Sequence, residues 1–176
     1  MAEPLTLAQA KAQCRIVNDT SEDALIESYI KAAREWVENY TGHVLVQRSI
    51  VEQRQDFGTW LEIHRRPVVS ITSIAYTDSN GDAQTYTGWI LQADRLPARI
   101  HPSLAVPWPT VWTYGGVTIT YLAGYAAGSE PQALLQAMQL LIGHWYKNRE
   151  AVTANQPFEV PLAVEALCDQ FREPGL

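Results

Sequence analysis

Residues 117–149 read VTITYLAGYAAGSEPQALLQAMQLLIGHWYKNR. The opening alternates: Val117, Ile119 and Tyr121 fall on one face of a strand, with Thr118 and Thr120 between them. Gly124 and Gly128 then flank a turn. Pro131 is suited to a helix start, where its missing N–H has no partner to lose. Beyond it, Leu134, Leu135, Met138, Leu141, Ile142, Trp145 and Tyr146 recur at steps of three and four. The period thus changes from 2 to 3.6 across one short turn, predicting a strand followed directly by a helix. The helix's apolar face is wide, which predicts burial against more than one element.

Upstream, residues 43–125 read as β-rich. VLVQRSIVEQRQ carries β-branched residues, and WLEIH is a short alternating strand. Arg66-Pro67 interrupts the chain before VVSITSIAYTD, where Val69, Ile71, Ile74 and Tyr76 are expected to face inward after a bulge-like slip at Thr72–Ser73. Ser79-Asn80-Gly81-Asp82 predicts a tight hairpin turn, because Asn-Gly accepts positive φ. TYTGWILQ is then the return strand. PSLAVPWPTVWTYGG (102–116) holds three prolines and reads as a long loop, since proline removes ladder donors.

Residues 5–42 read as helical. Thr6 can cap LAQAKAQC, and a second helix is expected to start near Thr20–Ser21 with Glu22 and Asp23 in its first turn. Leu25, Ile26, Tyr29, Ile30, Ala33, Trp36, Val37 and Tyr40 draw its apolar stripe, with Glu27–Lys31 and Arg34–Glu38 as pairs on the outer face. Gly42 is the stop. At the other end, 131–152 is the long helix and 153–176 an arm. A polar connector at 151–160 precedes a short helix opened by Pro161. The expected architecture is one α+β domain over 1–176: N-terminal helices, a central antiparallel β region with a hairpin, and a C-terminal long helix plus a short terminal helix.

Composition narrows the function. The 176 residues are 47% hydrophobic, enough for a core without staples. Thirteen Lys and Arg against nineteen Asp and Glu give a net charge of -6, a poor basis for tight, sequence-independent DNA binding. Cys14 and Cys168 stand at opposite ends without metal-ligand spacing and read as free buried thiols, though an end-to-end disulfide is sterically open to sequence reasoning. MAEPLTLAQAK lacks the pattern of a signal peptide, and no apolar run approaches the roughly 20 residues of a membrane span.

Catalytic chemistry is sparse. His43, His64, His101 and His144 show no HExxH-like spacing, and no GxSxG, GxxxxGK or GxGxxG sequence occurs. Asp19, Glu22 and Asp23 fit helix capping better than acid–base work. His64-Arg65-Arg66 reads as a solvated strand end. No catalytic residue, metal ligand or cofactor is assigned.

Two features stand out as candidate partner contacts. Trp108, Trp112 and Tyr114 lie in the proline-stiffened loop; they either fold back over the sheet or meet a partner, because rigid aromatics lose little entropy on binding. Phe158 and the stripe Leu162, Val164, Leu167, Phe171 pose the same choice between packing on the parent domain and packing on a neighbour.

The ordered set VTITYLAGY, Pro131, a helix ending Trp-Tyr-x-Asn-Arg-Glu, the N-terminal LTLAQAK…ALIESYIKAAREWVENYTG and RPVVSITSIAYTDSNG resembles the head–tail connector (head-completion adaptor) family of long-tailed bacteriophages, prophages and gene transfer agents. The resemblance covers roughly 5–152. It implies a non-enzymatic subunit of a homo-oligomeric ring, usually dodecameric, bound below the portal protein. Such a ring extends the channel through which double-stranded DNA passes and receives a stopper or tail-completion protein. It implies a virion location at the head–tail interface, synthesis in the host bacterial cytoplasm and no membrane partner. By similarity Tyr146, Asn148, Arg149 and Glu150 match the family's helix-end motif. The wide apolar faces near 131–146 and 158–171 are then candidate ring contacts. Other readings are a stopper or tail-terminator ring protein, a host protein-binding adaptor, or an enzyme with an unrecognised cleft.

Overall fold

The computed structural model describes residues 3–112, 114–148 and 161–172. The chain divides into two compact units, one from Met1–Val46 with Tyr125–Leu176, the other from Gln47–Gly124. Helices make the first and strands the second, so the α+β expectation holds, with helices at both ends and antiparallel sheets between.

The helical unit contains α1 (Leu7–Gln13), α2 (Asp23–Thr41), α3 (Gln132–Lys147) and α4 (Leu162–Asp169). Thr6 caps α1 through a capping box: its hydroxyl accepts the Gln9 N–H at 3.2 Å, and the Gln9 side-chain carbonyl accepts the Thr6 N–H at 2.8 Å. The start of α2 lies later than the sequence suggests. Asp19 accepts both the backbone N–H (2.8 Å) and the hydroxyl (2.6 Å) of Ser21, so a local turn uses the groups that would have capped the helix. The helix begins at Asp23, which receives the Lys11 ammonium at 2.6 Å. It ends at Gly42, whose φ of 75° directs its N–H to the Glu38 carbonyl at 3.0 Å.

Ile26, Ile30, Ala33 and Val37 of α2 join Leu134, Ala137, Met138, Leu141 and Ile142 of α3 in one core, completed by Leu5, Ala10, Leu45, Val164 and Cys168. The wide face of α3 is indeed covered from several sides, by α1, α2 and α4. Helices α2 and α3 run antiparallel. Trp145 meets Tyr29 (6.1 Å between ring centroids) and the Tyr146 hydroxyl donates to Glu22 at 2.7 Å, while at the opposite end the Tyr125 N–H donates to the Val44 carbonyl at 3.2 Å.

Arg34–Glu38 does not lie on the outer face. Glu38 is only 3% exposed and accepts the Leu45 N–H at 2.8 Å as well as Arg34 at 3.3 Å; Arg34 also holds Glu3 at 2.8 Å. The chain turns back after Gly42 and brings a buried amide against the helix, and that amide needs an acceptor.

The β unit contains β1 (Arg48–Arg54), β2 (Leu61–Ile63), β3 (Val68–Thr77), β4 (Ala83–Tyr86), β5 (Trp89–Gln92), β6 (Ala98–Pro102) and β7 (Val117–Ala123). They form two antiparallel sheets, ordered β1-β7-β3-β4 and β2-β6-β5. β7 pairs on both sides, and Val117, Ile119, Tyr121 and Ala123 are all buried, as the alternation predicts. The hairpin turn forms: the Asp78 carboxylate accepts the backbone N–H groups of Asn80 (2.9 Å) and Asp82 (3.1 Å), and Gly81 takes φ 90°.

Three strand expectations need correction. β3 carries two register shifts, at Val68/Ser70 and at Ile71/Ser73. The first turns Val68 inward and leaves Val69 exposed, the reverse of the expected facing. The return strand TYTGWILQ splits at Thr87-Gly88: β4 pairs with β3, whereas β5 pairs with β6 in the other sheet. Finally β6 was hidden in a segment bounded by Pro97 and Pro102.

Replacing Glu38 leaves the buried Leu45 amide without its acceptor and removes one of the carboxylates that hold Arg34. We expect Glu38→Ala to cost about 3 kcal/mol in chemical denaturation. Glu35→Ala, one turn position away on an exposed site, should stay within about 0.5 kcal/mol of the parent.

Candidate functional site

The 103–116 loop is anchored before it is exposed. Trp108 stacks on Phe57 (4.5 Å between centroids, 14° between planes) and lies 4.8 Å from the Tyr86 ring; its indole N–H reaches the Thr59 carbonyl at 3.4 Å. Phe57 also meets Tyr76 edge-on at 5.6 Å. The four rings close one end of the β unit's core. Tyr86 holds the start of the same loop, with its hydroxyl 2.6 Å from the Gly88 carbonyl and 2.5 Å from that of Val106. Trp108 therefore takes the fold-back role.

Trp112 and Tyr114 are placed differently. Their rings meet edge-on at 5.7 Å, and they are 45% and 85% exposed. The backbone is hydrogen-bonded at Trp112 and Gly115. The Trp112 N–H donates to the Thr77 carbonyl at 2.9 Å, the Gly115 N–H donates to the Trp112 carbonyl at 2.9 Å, and Val111 bridges Asp78. A Cβ on Gly115 would sit 2.4 Å from the Thr77 Cβ, so only glycine permits this approach. These bonds hold the backbone at Trp112 and Gly115 and leave the two aromatics exposed, with Leu104 and Val106 of the same loop also exposed. Preorganised aromatics of this kind suit protein recognition.

The remaining candidates fall in the helical unit. Tyr146 is half-buried and tied to Glu22. Leu167 and Phe171 pack on their own unit, Phe171 edge-on to His43 at 5.5 Å. Arg149, Glu150 and Phe158 lie outside the described residues. Sequence reading singled out the aromatics of the loop but missed Phe57 and Tyr86 as Trp108's partners, with Tyr76 beyond them on Phe57. Inward-facing tyrosines on consecutive hairpin strands were the available signal.

One cleft of the β unit, about 410 Å³, is lined by Arg54, Asp56, Phe57, Trp60, Glu62 and His64 among others. Its best-placed charges already serve the fold. Arg54 holds Glu52 at 2.8 Å, and Glu62 accepts Trp60 and Arg99, each at 3.0 Å. The Trp60 indole N–H, then Arg99, hold the Glu62 carboxyl below its usual range. Arg66 is buried rather than solvated, which corrects the reading of His64-Arg65-Arg66 as a solvated strand end. Tyr121 donates its hydroxyl to Glu52, and burial with that acceptor raises its pKa. No group of three or more His, Cys, Asp or Glu able to hold a metal occurs among the described residues. No described helix is long and apolar enough to cross a membrane. Neither cysteine forms a disulfide; burial, then Asp169, pushes the Cys168 thiol up to about 11.

Residues 4–101 match the family model of the phage gp6-like head–tail connector protein. The chain belongs to that connector family. A comparison with curated proteins finds no match. Solved structures agree with the connector assignment. A chain of the neck of an empty gene transfer agent particle, computed with C6 symmetry, superposes with a TM-score of 0.80 at 27% identity, over 100% of this chain and 94% of that one. A chain of the native gene transfer agent virion gives 0.78 at 26% identity, over 98% and 91%. One from the native neck computed with C12 symmetry gives 0.73 at 28%, over 100% and 94%. The connector is a structural neck protein, not an enzyme.

The two halves of the loop should separate by mutation. Trp108→Ala is expected to cost about 3 kcal/mol in denaturant titration because it opens the aromatic cluster. Tyr114→Ala should stay within about 0.5 kcal/mol of the parent.

Cys168 offers a pH test. Its folded pKa is raised, so it contributes stability below its ordinary value near 9.0 and loses that contribution as pH climbs toward about 11. At pH 8 its alkylation, followed by mass spectrometry, should be suppressed in the folded protein and become fast only in denaturant.

Proposed function

We propose that this connector forms a closed ring of twelve copies in the neck of a tailed phage or gene transfer agent particle. It binds the portal protein on one face, extends the DNA channel and offers a docking platform to a stopper or tail-completion protein on the other. The observation that carries the proposal is the near full-length likeness to a chain of a neck computed with C12 symmetry. The likeness to a chain of a C6 neck is compatible, since sixfold averaging leaves a twelvefold ring intact. The net charge of -6 per chain supports a channel role, because a lumen that must let DNA slide should not bind phosphates. The helical unit favours a connector over the β-dominated stopper and tail-terminator proteins.

Within this reading, Trp112 and Tyr114 are contacts with a neighbouring protein of the neck. Their exposure, beside a backbone hydrogen-bonded at Trp112 and Gly115, carries that assignment. Synthesis in the bacterial cytoplasm and incorporation into the virion complete the proposal.

Electron microscopy of the protein mixed with its cognate portal tests both parts. A ring of this chain stacked on the portal is expected. Trp112→Ala with Tyr114→Ala should reduce incorporation at least tenfold while circular dichroism stays unchanged. Absence of the unsubstituted chain from portal-bearing particles would overturn the ring assignment. Unimpaired incorporation of the double variant would overturn only the aromatic contact.

A further inference from the structure

We propose that neighbouring copies in the assembled ring join through their larger β-sheets, β1 of one copy pairing antiparallel with β4 of the next. The proposal rests on the ring reading above and names a contact that closes it.

The sheet β1-β7-β3-β4 ends in two open edges: among the described residues no strand lies beyond β1 or beyond β4. An edge strand presents unpaired N–H and C=O groups to any strand that can join it, unless proline, lysine or a bulge blunts the edge. β1 carries none of these. Its residues RSIVEQR pair with β7 from Arg48↔Ala123 to Arg54↔Val117 without a register shift. The register shifts of this sheet lie inside it, on β3. The charges of β1 alternate onto the face shared with Val117, Ile119 and Tyr121, where Arg54 holds Glu52 at 2.8 Å and Tyr121 donates to Glu52. The opposite face offers Ser49, Val51 and Gln53, all exposed. β4, AQTY, has no charge, proline or glycine, and its Ala83, Gln84 and Thr85 are exposed.

The polarity of the two edges is complementary. Each strand runs antiparallel to its neighbour, so β1 and β4 point in opposite directions. A second copy set with its β1 beside β4 continues the antiparallel alternation. The side chains are compatible too. The register places Thr85 beside Ala75, Ala75 beside Thr118 and Thr118 beside Gln53, so Ala83 and Thr85 share a face with Ser49, Val51 and Gln53. The junction on that face is uncharged and brings β-branched residues together, a favourable cross-strand combination.

The occupant is a second copy in this arrangement for a symmetry reason. Pairing β1 with β1, or β4 with β4, is two-fold and stops at a dimer. Pairing β1 with β4 is heterologous and repeats until it closes, which a ring requires. The likeness to a chain of a neck computed with C12 symmetry favours the repeating contact.

Disulfide trapping tests it. Thr85→Cys is combined in turn with Ser49→Cys, Val51→Cys and Gln53→Cys, on a chain carrying Cys14→Ser and with Cys168 left in its buried place. Positions on one face recur about every 6.8 Å along a strand, so the three pairs sample successive registers. Within one chain β1 and β4 lie three strand spacings apart, about 14 Å. A disulfide needs Cα atoms within about 7 Å, so every bond formed joins two chains. Rings assembled on the portal under reducing conditions and then oxidised are expected to give a ladder of covalent multimers with at least one pair, and none with the single-cysteine chains. Rings that yield no ladder with any pair overturn the edge pairing and leave the ring reading intact. Dimers from Val51→Cys or Thr85→Cys alone overturn it in favour of two-fold contacts. Hydrogen exchange on the unsubstituted chain is a second check: amides in 49–53 and in 83–86 should exchange at least tenfold more slowly in portal-bound rings than in the free chain, and unchanged exchange at either edge overturns the pairing. If the unsubstituted chain forms no ring on the portal, the ring reading fails and the pairing falls with it.

Discussion

Helix α3 carries more apolar surface than one neighbour can cover, and the architecture of the helical unit follows from that constraint. Leu134, Ala137, Met138, Leu141 and Ile142 are all buried, and α1, α2 and α4 together provide the cover. Burying such side chains is worth about 1.5–3 kcal/mol each, so these contacts dominate the unit's stability. They also explain why segments from opposite ends of the sequence belong to one core. The N-terminal helices supply Ile26, Ile30, Ala33 and Val37; the far end supplies Val164 and Cys168.

Much of this was legible in the sequence. The alternation of 117–123 and the helical period of 132–147 were correct because each segment is buried on the face its pattern marks. Thr6, Gly42 and the Asn80-Gly81 turn were correct because their chemistry is local. The errors share a different cause. Val69 was misplaced because an extra bulge reverses facing, and nothing in a string of β-branched residues reveals where a bulge falls. The 85–92 strand was read whole because the switch between sheets at Gly88 depends on Ser103 returning to its carbonyl, a contact with a residue 15 positions away. Glu38 was placed outside because a favourable helix spacing does not disclose that Leu45's amide will arrive beside it.

The candidate site was legible in outline only. Composition showed that the 103–116 loop was unusual, and a single sequence could not divide its aromatics. The division is physical. Trp108 packs on two aromatic partners, Phe57 and Tyr86; Trp112 and Tyr114 find each other and remain exposed. One loop thus stabilises the unit and presents a surface. The pinning of Trp112 to Thr77, with the glycine-only approach at Gly115, couples the two roles.

The interleaving of the two units has a consequence for synthesis on the ribosome. The helical unit begins with α1 and α2, is interrupted by all of Gln47–Gly124, and resumes at Tyr125. The apolar stripe of α2 must therefore wait for α3 through the translation of about 90 residues, roughly 5–20 s at typical elongation rates. The β unit, contiguous in sequence, can condense during that interval. The helical unit cannot, and its half-built core is the stretch of the nascent chain most exposed to chaperones and to other unfinished copies.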